Sequence, residues 1–135
     1  SSDLLAGLRE RHPEGKLIGL FEPRSATASR RIHEDAYVEA FDAADLTILA
    51  PVGRKEIAES ERLDVESVAE RIRARGRSAV APKNHDEIVA LLRREAKPGD
   101  TIVAMSNGDF GGLVDHLTAA LGVRGAHIVP LEVSP

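Results

Sequence analysis

Short apolar runs alternate along this chain with longer segments whose apolar residues recur every three or four positions. Runs of this length with mostly apolar side chains are typical of buried strands, and the longer period is that of an amphipathic helix. The predicted strands lie at residues 16–22, 46–50, 78–80, 101–105 and 126–133. The predicted helices lie at residues 4–8, 32–44, 65–72, 84–92 and 113–121.

The regular alternation of strands and helices predicts the architecture. Strands that are apolar almost throughout are covered on both faces, and strands joined through helices run parallel. We therefore predict an α/β fold: a Rossmann-like, mainly parallel sheet of about five to six strands with helices on both faces. No linker or repeat divides the chain, so residues 1–135 form one predicted domain.

Several local signals fix where these elements begin and end. Asn84 stands three residues before Glu87, a spacing that predicts an N-terminal helix cap. Gly76 follows an amphipathic segment and is expected to terminate it. A Pro98-Gly99 turn leads into the strand at residues 101–105, which is the clearest in the sequence.

The loop after the first strand combines groups that bind anions. Residues 21–31 contain Arg24, three hydroxyl side chains and two further arginines. Ligands of parallel sheets bind beyond the carboxyl ends of the strands, and Arg24 could form a bidentate pair with a carboxylate. A capped helix start with solvated arginines fits the same residues, and both interpretations remain open.

The loop after the strongest strand, residues 105–112, is rich in glycine. Glycines let a backbone approach a ligand closely, and the following helix offers free N–H groups to an anion. The alternative is a tight turn in which Ser106 or Asn107 caps the helix. Three glycines exceed what a cap needs, and this favours a binding loop.

Composition and charge exclude several functions. The net charge is −4 and each arginine cluster has acids nearby, so we expect no nucleic-acid partner. There is no cysteine and no apolar run near the ~20 residues of a membrane span, and we expect a cytoplasmic protein without membrane contact. The five histidines lack metal-ligand spacing, and no Walker sequence occurs, so we expect no metal site, no catalytic residue and no self-contained nucleotide site.

Three ordered blocks resemble the murein peptide ligases, a branch of the Mur ligase family. Residues 21–27 match the pattern F-E-P-R-S-x-T, and residues 37–45 match Y-x-x-A-F-x-x-A-D. Residues 99–112 match G-D-x-I-x-x-M-S-N-G-x-F-G-G. The L-alanine-adding ligases have a related F-x-P-H-R segment, whereas here Arg24 follows Pro23 directly. Ala26 stands where murein peptide ligases usually have Asn.

The resemblance implies the C-terminal domain of a three-domain enzyme. In that family an N-terminal domain holds the UDP-sugar, and a central domain holds ATP and Mg²⁺. UDP-N-acetylmuramate is then joined to the tripeptide L-alanyl-γ-D-glutamyl-meso-diaminopimelate. The segments of those two domains are absent from this chain, which we interpret as a piece of a longer protein that is inactive alone and binds no cofactor. The residues that the resemblance assigns to the peptide acceptor are Arg24, Ser25, Thr27, Ser106, Asn107, Gly108, Asp109 and Phe110.

Two other functions stay open at this point. One is the C-terminal domain of a UDP-N-acetylmuramate–L-alanine ligase, which would present a single amino acid instead of a tripeptide. The other is a stand-alone Rossmann-like binding module that uses the same two loops without partner domains. All three interpretations need the two loops to lie at one edge of the sheet.

Overall fold

A five-stranded parallel sheet forms the centre of the molecule, as the alternating pattern predicts. The computed structural model describes residues 2–23, 29–53, 56–106, 112–121 and 125–132. The strands are β1 (Leu17–Glu22), β2 (Leu46–Leu49), β3 (Ser78–Val80), β4 (Thr101–Ser106) and β5 (His127–Glu132). The helices are α1 (Ser2–Arg11), α2 (Glu34–Ala40), α3 (Val65–Ala74), α4 (His85–Glu95) and α5 (Leu113–Leu121), and a short 3-10 helix (Arg31–His33) precedes α2.

The strand order, β3-β2-β1-β4-β5, reverses direction once. From β1 the chain moves outward through β2 to β3, and it then returns to the other side of β1 to form β4 and β5. Parallel strands are joined by right-handed crossovers, so the two directions place their helices on opposite faces. Side chains of α1, α2 and α3 pack on one face, and those of α4 and α5 pack on the other.

Successive strand residues supply the two halves of the core in turn. On β1, Leu17 and Phe21 face α1 to α3, whereas Ile18 and Leu20 face α4 and α5. This alternation follows from the period of two along a strand. The face of α1 to α3 buries Leu5, Leu8, Val38, Phe41, Leu49, Val68, Ala69, Ile72 and Val103, and the other face buries Ile48, Ile88, Leu92, Ile102, Ala104, Leu113, Leu117 and Leu121.

The predicted start of α4 and end of α3 are confirmed, and the predicted end of the helix at residues 32–44 is wrong. The side chain of Asn84 accepts a hydrogen bond from the backbone N–H of Glu87 at 2.9 Å. Gly76 follows α3 with a positive φ of 84°. The predicted helix at residues 32–44 is shorter, because the chain leaves helical geometry at Phe41 and turns back towards β2. Phe41 and Ala44 are both buried, and their spacing fits a turn as well as a helix.

Two aspartates fasten the amino edge of the sheet. The carboxylate of Asp100 accepts hydrogen bonds from the backbone N–H groups of Lys16 at 2.8 Å and Lys97 at 2.9 Å. The carboxylate of Asp45 accepts one from the backbone N–H of Leu17 at 2.8 Å. A Cβ on Gly15 would lie 2.4 Å from the carbonyl oxygen of Gly99, so this close approach requires glycine.

Replacing Asp100 by alanine should destabilise the fold strongly. The substitution leaves two backbone N–H groups without their acceptor in a part-buried turn, and we expect a loss of roughly 2–4 kcal/mol in the free energy of unfolding. Urea denaturation followed by circular dichroism measures the change. Glu70→Ala, which removes an exposed carboxylate from α3, is the control. Equal losses for the two variants would contradict this role of Asp100.

Three aromatic rings pack beside the carboxyl half of β1. The ring of Phe21 lies 4.9 Å from that of Tyr37 and 6.0 Å from that of Phe41, measured between centroids. Tyr37 is half-buried, and burial raises the pKa of its phenol to about 12. The neutral phenol is therefore favoured in the folded protein, and its contribution to stability is present below pH 10 and lost as the pH rises towards 12.

The titration of Tyr37 can be observed directly, because it is the one tyrosine in a chain without tryptophan. We expect the absorbance at 295 nm to rise with a midpoint well above 10 in the folded protein. In concentrated urea the midpoint should return to near 10, since unfolding removes the burial. Circular dichroism at each pH verifies that the chain is folded. A midpoint near 10 in both states would show that the phenol is not buried.

Candidate functional site

The two candidate loops leave the sheet at the same edge and from neighbouring strands. Glu22 ends β1 and Ser106 ends β4, and these two residues are register partners in the parallel pairing of the strands. The order of the strands reverses between β1 and β4. A crevice opens at such a switch point because the loops of the two strands diverge towards opposite faces, and ligands of open α/β sheets bind there. The predicted common edge is confirmed.

Most of the predicted acceptor residues lie outside the described part of the chain. This applies to Arg24, Ser25 and Thr27 in the first loop. It also applies to the residues of the second loop after Ser106, namely Asn107, Gly108, Asp109 and Phe110. Their assignment to the acceptor therefore remains a prediction, whose support here is the placement of the strand ends that precede them.

Ser106 is the predicted site residue that the structure describes. The sequence suggested that it begins the loop, but it is the last residue of β4 and is fully buried. Its hydroxyl oxygen has no hydrogen-bond partner among the described residues. By the alternation along β4, Ser106 points to the same face as Ile102 and Ala104, which is the face of α4 and α5. Ser106 is therefore a buried hydroxyl at the carboxyl end of β4, without a hydrogen-bond partner in the part of the chain that the structure describes.

The far end of the first loop is tied back to its beginning. The hydroxyl of Ser29 donates to the carbonyl oxygen of Pro23 at 3.5 Å, and the carbonyl oxygen of Ser29 accepts from the N–H of Leu63 at 2.8 Å. The backbone N–H of Arg31 in turn donates to the carbonyl oxygen of Glu61 at 2.8 Å. The hydroxyl of Ser29, one of the three in this loop, is therefore occupied within the fold and is not offered to a ligand.

A contact that sequence reasoning missed joins the helix face to the end of β1. The Nε2 atom of His85, the first residue of α4, lies 2.5 Å from the Oε2 atom of Glu22. The Glu22 side chain is 7% exposed and the His85 side chain is 39% exposed. From the sequence the histidines are considered only as metal ligands, and this contact is not predicted. The two residues are 63 positions apart, so no local pattern could reveal the pair.

Two exposed arginines at the C-terminal end of α3 are paired with acids. Arg71 contacts Asp35, and Arg75 forms a bidentate pair with Asp42. The hydrogen bond from Arg75 lowers the pKa of Asp42. These pairs connect α2 to α3 on the protein surface, so this arginine cluster neutralises neighbouring carboxylates and belongs to the solvated face that the charge pattern indicates.

Within the part of the chain that the structure describes, no three His, Cys, Asp or Glu side chains come together as a metal site. Likewise, none of the described helices is long and apolar enough to cross a membrane. The described part of the candidate site consists of the Glu22 carboxylate, the His85 imidazole and the Ser106 hydroxyl at one edge of the sheet.

Relatives with known names match most of this chain. A UDP-N-acetylmuramate–L-alanine ligase of Phenylobacterium zucineum is 36% identical over 98 residues, which are 72% of this chain and 20% of the relative. One from Methylococcus capsulatus is 30% identical over 125 residues, 90% of this chain and 26% of the relative. No family model matches the chain.

Two solved structures have the same fold. A murein peptide ligase from Psychrobacter arcticus superposes with a TM-score of 0.66 at 28% identity, covering 90% of this chain and 25% of that chain. A domain from Haemophilus ducreyi, described as part of a UDP-N-acetylmuramate:L-alanyl-γ-D-glutamyl-meso-diaminopimelate ligase, superposes with a TM-score of 0.61 at 23% identity. The superposition covers 89% of this chain and 80% of that one. At this low identity it supports the fold alone.

The parallel sheet with its single reversal of strand order and helices on both faces defines a Rossmann-like α/β domain. The chain belongs to the Mur ligase family and corresponds to its C-terminal domain. It spans about a fifth to a quarter of the length of the curated relatives it matches.

The unpartnered hydroxyl of Ser106 leads to a prediction about stability. Because a buried hydroxyl without a partner opposes folding, Ser106→Ala should keep or raise the free energy of unfolding, by up to about 1 kcal/mol. Thr47→Val removes another buried hydroxyl without a described partner, on β2 and away from the candidate loops, and should behave alike. Urea denaturation measures both. A loss of 1 kcal/mol or more for Ser106→Ala would reveal a structural partner.

Proposed function

We propose that this chain presents a peptide acceptor to an ATP-dependent carboxylate–amine ligase of peptidoglycan metabolism. The acceptor is the tripeptide L-alanyl-γ-D-glutamyl-meso-diaminopimelate, and the other substrate is UDP-N-acetylmuramate, as in murein recycling in the cytoplasm. The observation that carries the proposal is the common edge of the two motif-bearing loops, which leave neighbouring strands at the switch point. Membership of the Mur ligases supports the reaction class.

The work of this domain is orientation. Arg24 receives an acceptor carboxylate in a bidentate pair, and the hydroxyls of Ser25 and Thr27 orient it. From the other loop, Ser106 to Phe110 line the acceptor pocket, where Asp109 matches an ammonium group by charge. Holding the acceptor amine in line with its reaction partner and excluding water lowers the barrier without a catalytic residue on this chain.

ATP and Mg²⁺ belong to the other domains of the proposed ligase. The chain has no Walker sequence, and its described residues group no set of metal-binding side chains. These residues do not fit a nucleotide or a metal, so no chemical step runs through either of them on this chain. The isolated domain should therefore be inactive, and its partners are the N-terminal and central domains of the same enzyme.

The L-alanine-adding ligases are a second candidate, favoured by the curated relatives, which carry that name at 30% and 36% identity. The first loop favours the tripeptide, since Arg24 directly follows Pro23 where the L-alanine enzymes have His-Arg. A ligation assay with the full-length enzyme separates the two. Product formed from UDP-N-acetylmuramate with the tripeptide, and not with L-alanine, supports our proposal, and the reverse preference assigns the chain to the second candidate.

Arg24→Ala should weaken tripeptide binding by about tenfold or more, because hydrogen bonds to a charged group contribute roughly 1.5–3 kcal/mol. Isothermal titration of the 135-residue chain and of the full-length enzyme measures the dissociation constant. Arg77→Ala is the matched control, since Arg77 is exposed and precedes β3 at the opposite edge of the sheet. Equal affinities of the two variants in the full-length enzyme would refute the role of Arg24.

The isolated chain should not bind ATP. Titration with Mg²⁺ and ATP up to several millimolar, followed by the amide signals in NMR spectra, is expected to leave the spectrum unchanged. Saturable shifts of residues at the ends of β1 and β4 would contradict the assignment of nucleotide binding to another domain. Tripeptide added to the same sample provides the positive comparison.

A further inference from the structure

Glu22 and His85 form a contact at this edge of the sheet, and neither residue is among the proposed acceptor-binding residues. Glu22 is the last residue of β1, and the next two residues are Pro23 and Arg24. His85 is the first residue of α4, and its Nε2 atom lies 2.5 Å from the Oε2 atom of Glu22. The pair therefore joins the N-terminus of a helix to the residue from which the first loop departs.

The carboxylate of Glu22 is buried on the face of α4 and α5, next to Ser106 on β4. A buried carboxylate is tolerated where a partner holds it. The position of that partner is itself fixed, because α4 is anchored on the sheet by buried side chains of Ile88 and Leu92. The packing of α4 therefore helps to set the position of the Glu22 side chain.

Pro23 makes this anchor important for the loop that follows. Proline has no backbone N–H, so the strand ladder cannot continue through it. Beyond Glu22, the described contact at the base of the loop is the 3.5 Å hydrogen bond from the Ser29 hydroxyl to the carbonyl oxygen of Pro23. The shorter contact, between His85 and Glu22, lies two residues before Arg24.

We propose that His85 is a positioning residue. By contacting Glu22, His85 holds the end of β1 in place. The loop of Arg24, Ser25 and Thr27 departs from this end, and the contact thereby aligns that loop for the acceptor. The inference rests on the proposed function, since it needs the loop to bind the acceptor. It assigns a role to a residue outside all three family motifs and adds the N-terminus of α4 to the elements that build the site.

The test uses steady-state kinetics of the full-length ligase. His85→Ala should raise the KM for the acceptor about tenfold, because small displacements of a binding group reduce its contribution sharply. The KM values for ATP and UDP-N-acetylmuramate should stay within about twofold of the wild type. His85→Gln should restore most of the acceptor KM, since its amide N–H reaches a position close to that of the imidazole Nε2–H.

Two further variants complete the design. Adding Glu22→Gln to His85→Ala should cost little beyond the single change, because both act through one contact. His116→Ala removes an exposed histidine from α5 and should leave every constant unchanged. Melting temperatures of all variants separate misfolding from misalignment, because a smaller folded fraction lowers the apparent kcat without changing any KM.

The outcomes separate the two proposals. An active wild-type ligase whose acceptor KM is the same in His85→Ala overturns this inference alone. Failure of His85→Gln to restore the acceptor KM in a folded protein does so too. A wild-type enzyme that joins neither tripeptide nor L-alanine to UDP-N-acetylmuramate overturns the proposed function, and the role of His85 falls with it.

Discussion

The handedness of the parallel crossovers is the constraint on which the rest of the structure depends. A sheet that grows outward from β1 to β3 and then returns to β4 must place its helices on both faces, because each crossover turns the same way. One reversal therefore produces a two-sided core and brings the carboxyl ends of β1 and β4 side by side at the switch point. The apolar strand residues supply the packing, and the site is a geometric result of the same winding.

Much of the fold could be predicted from local periodicity. The apolar run at residues 101–105 and the four-residue spacing of Leu113, Leu117 and Leu121 each identify their element, since burial imposes those periods. The helix at residues 32–44 was overextended, because Phe41 and Ala44 are buried in a turn that has the spacing of a helix. Periodic apolar residues indicate which side chains are buried. They identify a helix only where the backbone also keeps helical geometry.

The site was harder to predict, because its described groups come from separate parts of the chain. The edge shared by Glu22 and Ser106 follows from the order of the strands, which no single motif contains. The contact of Glu22 with His85 depends on where α4 begins above the sheet. His85 itself is preceded by a capping Asn84, and that signal located the helix start without indicating what the next side chain touches.

The carboxylates of Asp45 and Asp100 have a consequence for how such a domain can diversify. They hold the strands at the edge opposite the two candidate loops, using backbone N–H groups that nearly any sequence would supply. Stabilising contacts and variable loops therefore lie at opposite edges of one sheet. The loops at one edge can change in length or sequence while the other edge keeps the strands in register. This separation suits a family that includes both L-alanine ligases and murein peptide ligases.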